Sequence, residues 1–399
     1  MLFEKFIQTT KTWWHNYFEK IQKAQECGKL SRDGTTILYP TMLIFTKFPE
    51  HYIVELVGAS QKYKGLTIKQ HKEKSIHRYL NQFDEKNTNS LLHLDSKLNG
   101  LQFLTISTNA QLEALEKRFP QINLYKSVFK STFDADCALS FGKNFQSACI
   151  ENSTLVNKRE NLYRVKSILA MYIFSKNITR GQVVELFNNT IKDNEVKGIH
   201  VIESSEIVKA TVSQFQSMYL QPGLRETTIG DFIKTHPEVI KLAFNAKQFE
   251  YEPSLKWLEH DGTCQDSYIN PDLIIENQNG HWDIYDLKTA LLDKPRITKD
   301  DRKRRRFIDY VSEGVAQLAN YREYFNYEEN KSYALDKYGI KVSNPKLVLV
   351  VGNWDNFDPE EVAQASRFLD KNIEFIDYDT FTQLILSGAK SLATSPAAQ

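Results

Sequence analysis

The sequence predicts an α/β protein in two parts. A mixed α/β N-terminal domain spans residues 1–220, and a C-terminal domain with an α-β-β-β-α-β core spans 221–390, followed by a small polar tail, 391–399, expected to be disordered. Three observations carry this expectation. Residues 271–288 read as a β-hairpin, because two runs rich in Ile, Leu, Trp and Tyr flank Asn279-Gly280. The run 347–351, Leu-Val-Leu-Val-Val, is continuously apolar, as a strand covered on both faces is. Helical periodicity precedes the hairpin at 225–236 and follows it at 307–325. Gln221-Pro222-Gly223 is a loop signal and sets the boundary.

Taken in order, the chain opens on Phe3, Phe6, Trp13, Trp14, Tyr17 and Phe18 at helical spacings, an aromatic stripe expected to serve as core or as a subunit contact. Segments 52–57 and 101–106 read as strands. Segments 110–119 and 162–176 read as helices, the second amphipathic, and 182–191 and 204–219 continue a helical region. Residues 58–65 lack the Gly-Lys-Ser/Thr of a phosphate loop, so no ATP is expected. Lys62, Lys64, Lys69, His71, Lys72, Lys74 and His77 form a basic stretch around Tyr63 that reads as a solvated face, with a nucleic-acid contact as the alternative, since phosphate binding needs only spaced positive charge.

In the C-terminal part, 225–236 is a helix ended by Pro237, with Ile229, Phe232 and Ile233 as its apolar stripe and Glu226 one turn earlier on that face. A capping box at Thr228 and Asp231 would instead leave Glu226 outside the helix. Segment 248–258 is a strand bent at Pro253, with Glu250 and Glu252 on its polar face.

The hairpin holds the chemistry. Asp272, Asp286 and Lys288 are costly in an apolar hairpin unless paired or bound to a cation. Asp286 and Lys288, two apart, share a face. A two-residue loop would place the Asp272 carboxylate on the other face. A three-residue loop, Gln278-Asn279-Gly280 with Gly280 left-handed, pairs Asn277 with His281 and sets Asp272 opposite Asp286. Two adjacent carboxylates repel, and a divalent cation relieves that.

Beyond Lys288, Lys294, Arg296, Lys299, Arg302, Lys303, Arg304, Arg305 and Arg306 make a basic run leaving the same strand, expected to contact a nucleic-acid backbone. Gln317 and Tyr321, four apart in the 307–325 helix, share a face. A helix over 359–370, a strand over 373–378 and a last helix over 380–386 complete the domain.

At 399 residues with 41% hydrophobic and 25% charged content, the chain is an ordinary globular protein, and a net charge of +1 makes any basic surface local. Cys27, Cys137, Cys149 and Cys264 have neither metal-ligand spacing nor disulfide density and read as reduced thiols. The opening Met-Leu-Phe-Glu-Lys-Phe lacks the apolar core of a signal peptide, and the longest apolar stretch, 168–174, is too short to span a bilayer. The expectation is a cytoplasmic protein that does not engage a membrane.

Pro271-Asp272, followed fourteen residues later by Asp286-Leu-Lys288, resembles the active-site pattern of the PD-(D/E)XK nucleases, several of which also carry Gln-x3-Tyr on the next helix. The helix 225–237, Pro271-Asp272, the strand 282–288 and the segment 317–325 together resemble the Shedu family of anti-phage nucleases over roughly 221–380. The resemblance implies a restriction-endonuclease-like fold for the C-terminal domain and a bacterial defence protein that cleaves double-stranded DNA with Mg²⁺ or Mn²⁺. It implies that Asp272, Asp286 and the Leu287 backbone carbonyl hold the ion, with Glu226 as a further acidic ligand. Lys288 then acts on the attacking water or the developing charge, Gln317 positions the water or the backbone, and Tyr321 supports it by packing. It also implies a homo-oligomer, a tetramer, and leaves 1–220 to sensing or assembly. A catalytically dead nuclease fold that binds DNA or a partner protein, and an RNA-directed enzyme, are the alternatives.

Overall fold

The computed structural model describes residues 1–30, 34–81, 92–94, 109–120, 137–139, 141, 144–159, 162–190, 197–262, 266–301 and 304–394. The chain divides into two compact units, Met1–Leu224 and Arg225–Gln399.

In the first unit the aromatic stripe is core. Phe6, Trp14 and Phe18 project from one face of the helix Phe3–Glu26 and are fully buried against Phe45, Tyr52, Tyr172, Phe174 and Phe187. Trp13, half-buried, packs on Phe187 and donates its indole N–H to Asn188 at 3.0 Å. These rings satisfy each other within the unit, so the stripe offers no exposed apolar patch for a subunit contact. Beneath it lies a five-stranded sheet in the order Thr67–Lys72, Met42–Lys47, His51–Val57, Leu162–Ser175, Ser147–Arg159.

Residues 162–176, expected as an amphipathic helix, are therefore a strand paired on both sides. Ala170, Tyr172 and Phe174 enter the aromatic core, whereas Met171 and Ile173 enter a second cluster on the opposite face. Burial of both faces removes the polar alternation that marks a strand, and a continuous apolar run then resembles a buried helix. Helices Asn109–Arg118 and Arg180–Thr190 lie near their expected positions, as does Ile207–Tyr219 after a short 3₁₀ turn. The expected strand 101–106 lies outside the described residues.

In the second unit the sheet order is Ala246–Tyr251, Leu273–Asn277, Trp282–Leu287, Leu347–Val350, Ile373–Ile376. The first three strands are antiparallel and the last two join in parallel. The helix Asp309–Tyr324 covers one face, where Val311 and Leu318 meet Ile284 and Leu349. Helices Glu238–Phe244 and Tyr378–Thr394 cover the other, where Phe244 packs on Tyr285 and Phe381.

The hairpin turn has three residues. Asn277 N–H donates to the His281 carbonyl at 2.9 Å, Gly280 N–H to the Asn277 carbonyl at 3.0 Å, and Gly280 sits at φ +81°. Leu273 pairs with Tyr285, which places Asp272 opposite Asp286.

Other boundaries move. The bent strand is two pieces, Ala246–Tyr251 and Leu255–Lys256, separated where Glu252 turns to φ +46°. Thr298–Asp301 and Arg304–Phe307 form a two-stranded ribbon inside the basic run, and a helix, Glu328–Tyr338, precedes the parallel strands. The last helix runs on to Thr394, into the segment expected as a tail, and 395–399 lie outside the described residues. Among the described residues no helix is long and apolar enough to cross a membrane.

The last helix needs Gly388. A Cβ there would stand 2.1 Å from the Leu242 carbonyl oxygen, a backbone atom that cannot rotate away. Gly388→Ala is expected to lower stability by about 1–3 kcal/mol, at the upper end because backbone must move. An unchanged urea midpoint would show that the two helices are not closely packed there.

Candidate functional site

Alternation along Trp282–Leu287 points Trp282 and Ile284 into the core under the Asp309–Tyr324 helix. The next positions on that face are Asp286 and Lys288, 2% and 6% exposed. The Lys288 N–H bonds the Val350 carbonyl at 2.8 Å, and Tyr378 donates its hydroxyl to the Lys288 carbonyl, so the strand end is clamped from both sides. Asp272 precedes the strand Leu273–Asn277 and accepts the Leu287 N–H on its Oδ2 at 2.6 Å. A side chain thus bridges the two hairpin strands where the main-chain ladder ends.

The Lys288 ammonium is 2.8 Å from Asp286 Oδ2 and donates to Gln317 Oε1 at 2.6 Å. Asp286 Oδ2 is buried against the Lys288 ammonium, and among the described residues no other donor meets it. A buried carboxylate oxygen with that capacity left, beside a second carboxylate, suits a hard cation such as Mg²⁺. Asp272 and Asp286 are donors of the kind that the ion implied by the family resemblance takes.

The site is rich in acid. Burial and the Asp286 charge push the Asp272 carboxyl up to about 7, with Glu226 adding to the rise, while the Leu287 N–H and Lys288 oppose it. Asp286 is raised by burial, with Glu226 and Glu313 contributing against Lys288. Burial disfavours the charge on Lys288, but Asp286, Glu226 and Asp272 outweigh this and hold its pKa above the usual lysine range.

Glu226 is the first residue of the helix Glu226–Thr235 and not outside it. Its charge acts on Asp272, Asp286 and Lys288, yet its Oε1 is taken by the Tyr310 hydroxyl. Among the described residues no three His, Cys, Asp or Glu side chains stand in metal-holding geometry, so Glu226 is brought to the site without completing a ligand set. Glu252 is exposed and serves through its N–H, which bonds the Asp272 carbonyl at 2.9 Å, and Glu250 stays half-buried on the edge strand. Leu287 enters through its main chain, where the N–H is the engaged group. Tyr321 reaches the Asn270 carbonyl at 3.4 Å, so it steadies the approach to Asp272 by a hydrogen bond as well as by packing.

Sequence reasoning missed Tyr310, Gly314 and Tyr378. Tyr310, Gly314, Gln317 and Tyr321 follow at intervals of four, three and four, one continuous helical stripe. Extending the Gln317–Tyr321 pair one turn at a time toward the helix start would have found the first two. Gly314 is required because a Cβ there would stand 2.8 Å from Leu349 Cδ1 and 3.1 Å from Lys288 Cε.

The basic run divides. Arg305 bonds Asp300 at 3.0 Å and Glu361 at 2.9 Å, Arg296 pairs with Glu361 as well, and Lys299 meets Asp309 at 2.7 Å. Arg305 is therefore a structural tie between the ribbon and the helix Pro359–Ser366, not a solvent-facing contact. Arg304 and Arg306, on the other face of the ribbon by strand alternation, are exposed. Arg302 and Lys303 lie outside the described residues.

Residues 223–382 match the family model described as Shedu protein SduA, C-terminal. The match contains Glu226, Asp272, Asp286, Lys288, Tyr310, Gln317 and Tyr321. No curated protein matches the chain.

Proposed function

We propose, from the match of residues 223–382 to the family model described as Shedu protein SduA, C-terminal, that the chain is a Shedu-type protein of anti-phage defence and a metal-dependent DNA endonuclease of PD-(D/E)XK type. The observation that supports this most is the meeting of Asp272, Asp286 and Lys288 at one strand end, with Asp286 buried beside the Lys288 ammonium. In this reading Asp272, Asp286 and the Leu287 carbonyl would hold Mg²⁺ or Mn²⁺. When bound, such an ion draws charge from the scissile phosphate and lowers the pKa of a water. Lys288 then orients that water and offsets charge developing on the phosphate. Gln317 fixes the ammonium through its 2.6 Å bond, and Tyr321 steadies the approach to Asp272. No covalent intermediate forms.

Incubation of purified protein with linear and supercoiled DNA, with Mg²⁺, with Mn²⁺ and with EDTA, tests the reading. Cleavage that EDTA stops supports it. DNA that is bound but never cut under either metal overturns the enzymatic part, and cleavage of RNA alone overturns the substrate. The proposal includes a homo-oligomer with an even number of copies, because one such site cuts one strand at a time, and the family resemblance suggests a tetramer. A single-chain mass by light scattering at micromolar concentration overturns that element.

The exposed pair on the ribbon is the proposed backbone contact. Arg304→Ala with Arg306→Ala is expected to weaken DNA binding and to lower the slope of log affinity against log salt by up to about 2 units, nearly one for each phosphate no longer neutralised. An unaltered slope would leave both as solvated residues.

A further inference from the structure

We propose that Tyr310 is a positioning residue that holds the Glu226 carboxylate at the acidic site and thereby sets how tightly a divalent cation is held there. The inference rests on the reading that Asp272 and Asp286 bind such an ion. Glu226 faces two carboxylates across the site, and like-charge repulsion alone would turn its flexible side chain away. One hydroxyl prevents this. Tyr310 donates to Glu226 Oε1 and accepts the Thr289 N–H at 3.3 Å. Thr289 directly follows Lys288, so the tyrosine is fixed to the strand that bears Asp286. Tyr310 also stands in the first turn of the helix that carries Gly314 and Gln317, so one rigid element sets both Lys288 and Glu226. With Oε1 occupied, the second carboxylate oxygen of Glu226 is left to act on the ion directly or through water.

The test is a double-mutant cycle on the full chain, read by calorimetric titration of Mn²⁺ without DNA and by thermal unfolding without metal. Partners that orient metal ligands typically contribute 10- to 100-fold in affinity, and Tyr310→Phe is expected to weaken Mn²⁺ binding about tenfold. Glu226→Gln should do the same. The double variant should match Glu226→Gln alone, because Tyr310 acts through Glu226. A purely structural tyrosine would lower the melting temperature and leave Mn²⁺ affinity unmoved, which overturns the inference while the metal site stands. Additive losses overturn it equally, since Tyr310 would then act by another route. Absence of Mn²⁺ binding by the unsubstituted chain overturns this inference together with the reading it rests on.

Discussion

Lys288→Ala is expected to lower the proposed metal-dependent DNA cleavage roughly a thousandfold or more, because a preorganised charge at the reacting group is removed. The ammonium has two partners, Asp286 at 2.8 Å and Gln317 at 2.6 Å, and lies beside the space that Gly314 leaves open. Its loss leaves Asp286 buried with Asp272 opposite and no cation of the protein between them. Breaking a buried pair costs about 3–5 kcal/mol where the remaining charge cannot escape, and proton uptake by the carboxylates reduces that here. The variant should therefore melt lower without metal and recover in part with Mg²⁺, while DNA affinity, proposed to rest on the exposed arginines, should change little. Lys288→Arg should not restore cleavage, because the guanidinium is bulkier where Lys288 Cε already approaches the Gly314 position. Near wild-type cleavage by Lys288→Ala would remove Lys288 from the reaction.

Asp272→Asn should weaken Mg²⁺ affinity and raise the stability of the metal-free protein. Burial and the Asp286 charge favour the neutral form of Asp272 in the folded chain and push its carboxyl up to about 7, above the ordinary carboxylate range. The folded chain thus binds this proton more readily than the unfolded chain. Asp272 costs nothing below about pH 4, costs progressively more as pH rises toward 7, and costs its full amount above that. Asparagine removes the charge and keeps an oxygen for the Leu287 N–H. The gain is about 1–3 kcal/mol at pH 8, reduced from the full value of the shift because Asp272 is partly exposed, and it vanishes near pH 4. Urea unfolding at both pH values measures it. A gain equal at pH 4 and pH 8 would mean that charge is not its source. Unchanged Mg²⁺ affinity would show that the ion does not sit at Asp272.

The parts of the second unit that could be read in advance are those governed by local rules. Alternation assigns Asp286 and Lys288 to one face, and Asn277 to His281 can close over three residues with a left-handed glycine, which alone sets Asp272 opposite Asp286. Pro237 ends its helix and Gly280 its turn for steric reasons that need no partner. Where burial on both faces erases alternation, the reading fails, as it does for Leu162–Ser175. The basic run shows the same limit. Charge along the chain says where arginines are, but only the ribbon and Glu361 separate Arg305, which ties two elements, from Arg304 and Arg306, which face solvent.

By itself, then, the sequence determined the hairpin and the three charged groups at its end, because turn chemistry and period-two alternation act over a few bonds, while the structure chose between the two registers the turn allows. It also carried the family resemblance of the C-terminal unit. Tertiary structure alone decided the environment of those groups. The Tyr310 clamp on Glu226, the Tyr378 bond to the Lys288 carbonyl and the burial of the aromatic stripe each join segments far apart in the chain. Their energy comes from desolvation and from pairing across the sheet, which no spacing along one strand or helix encodes.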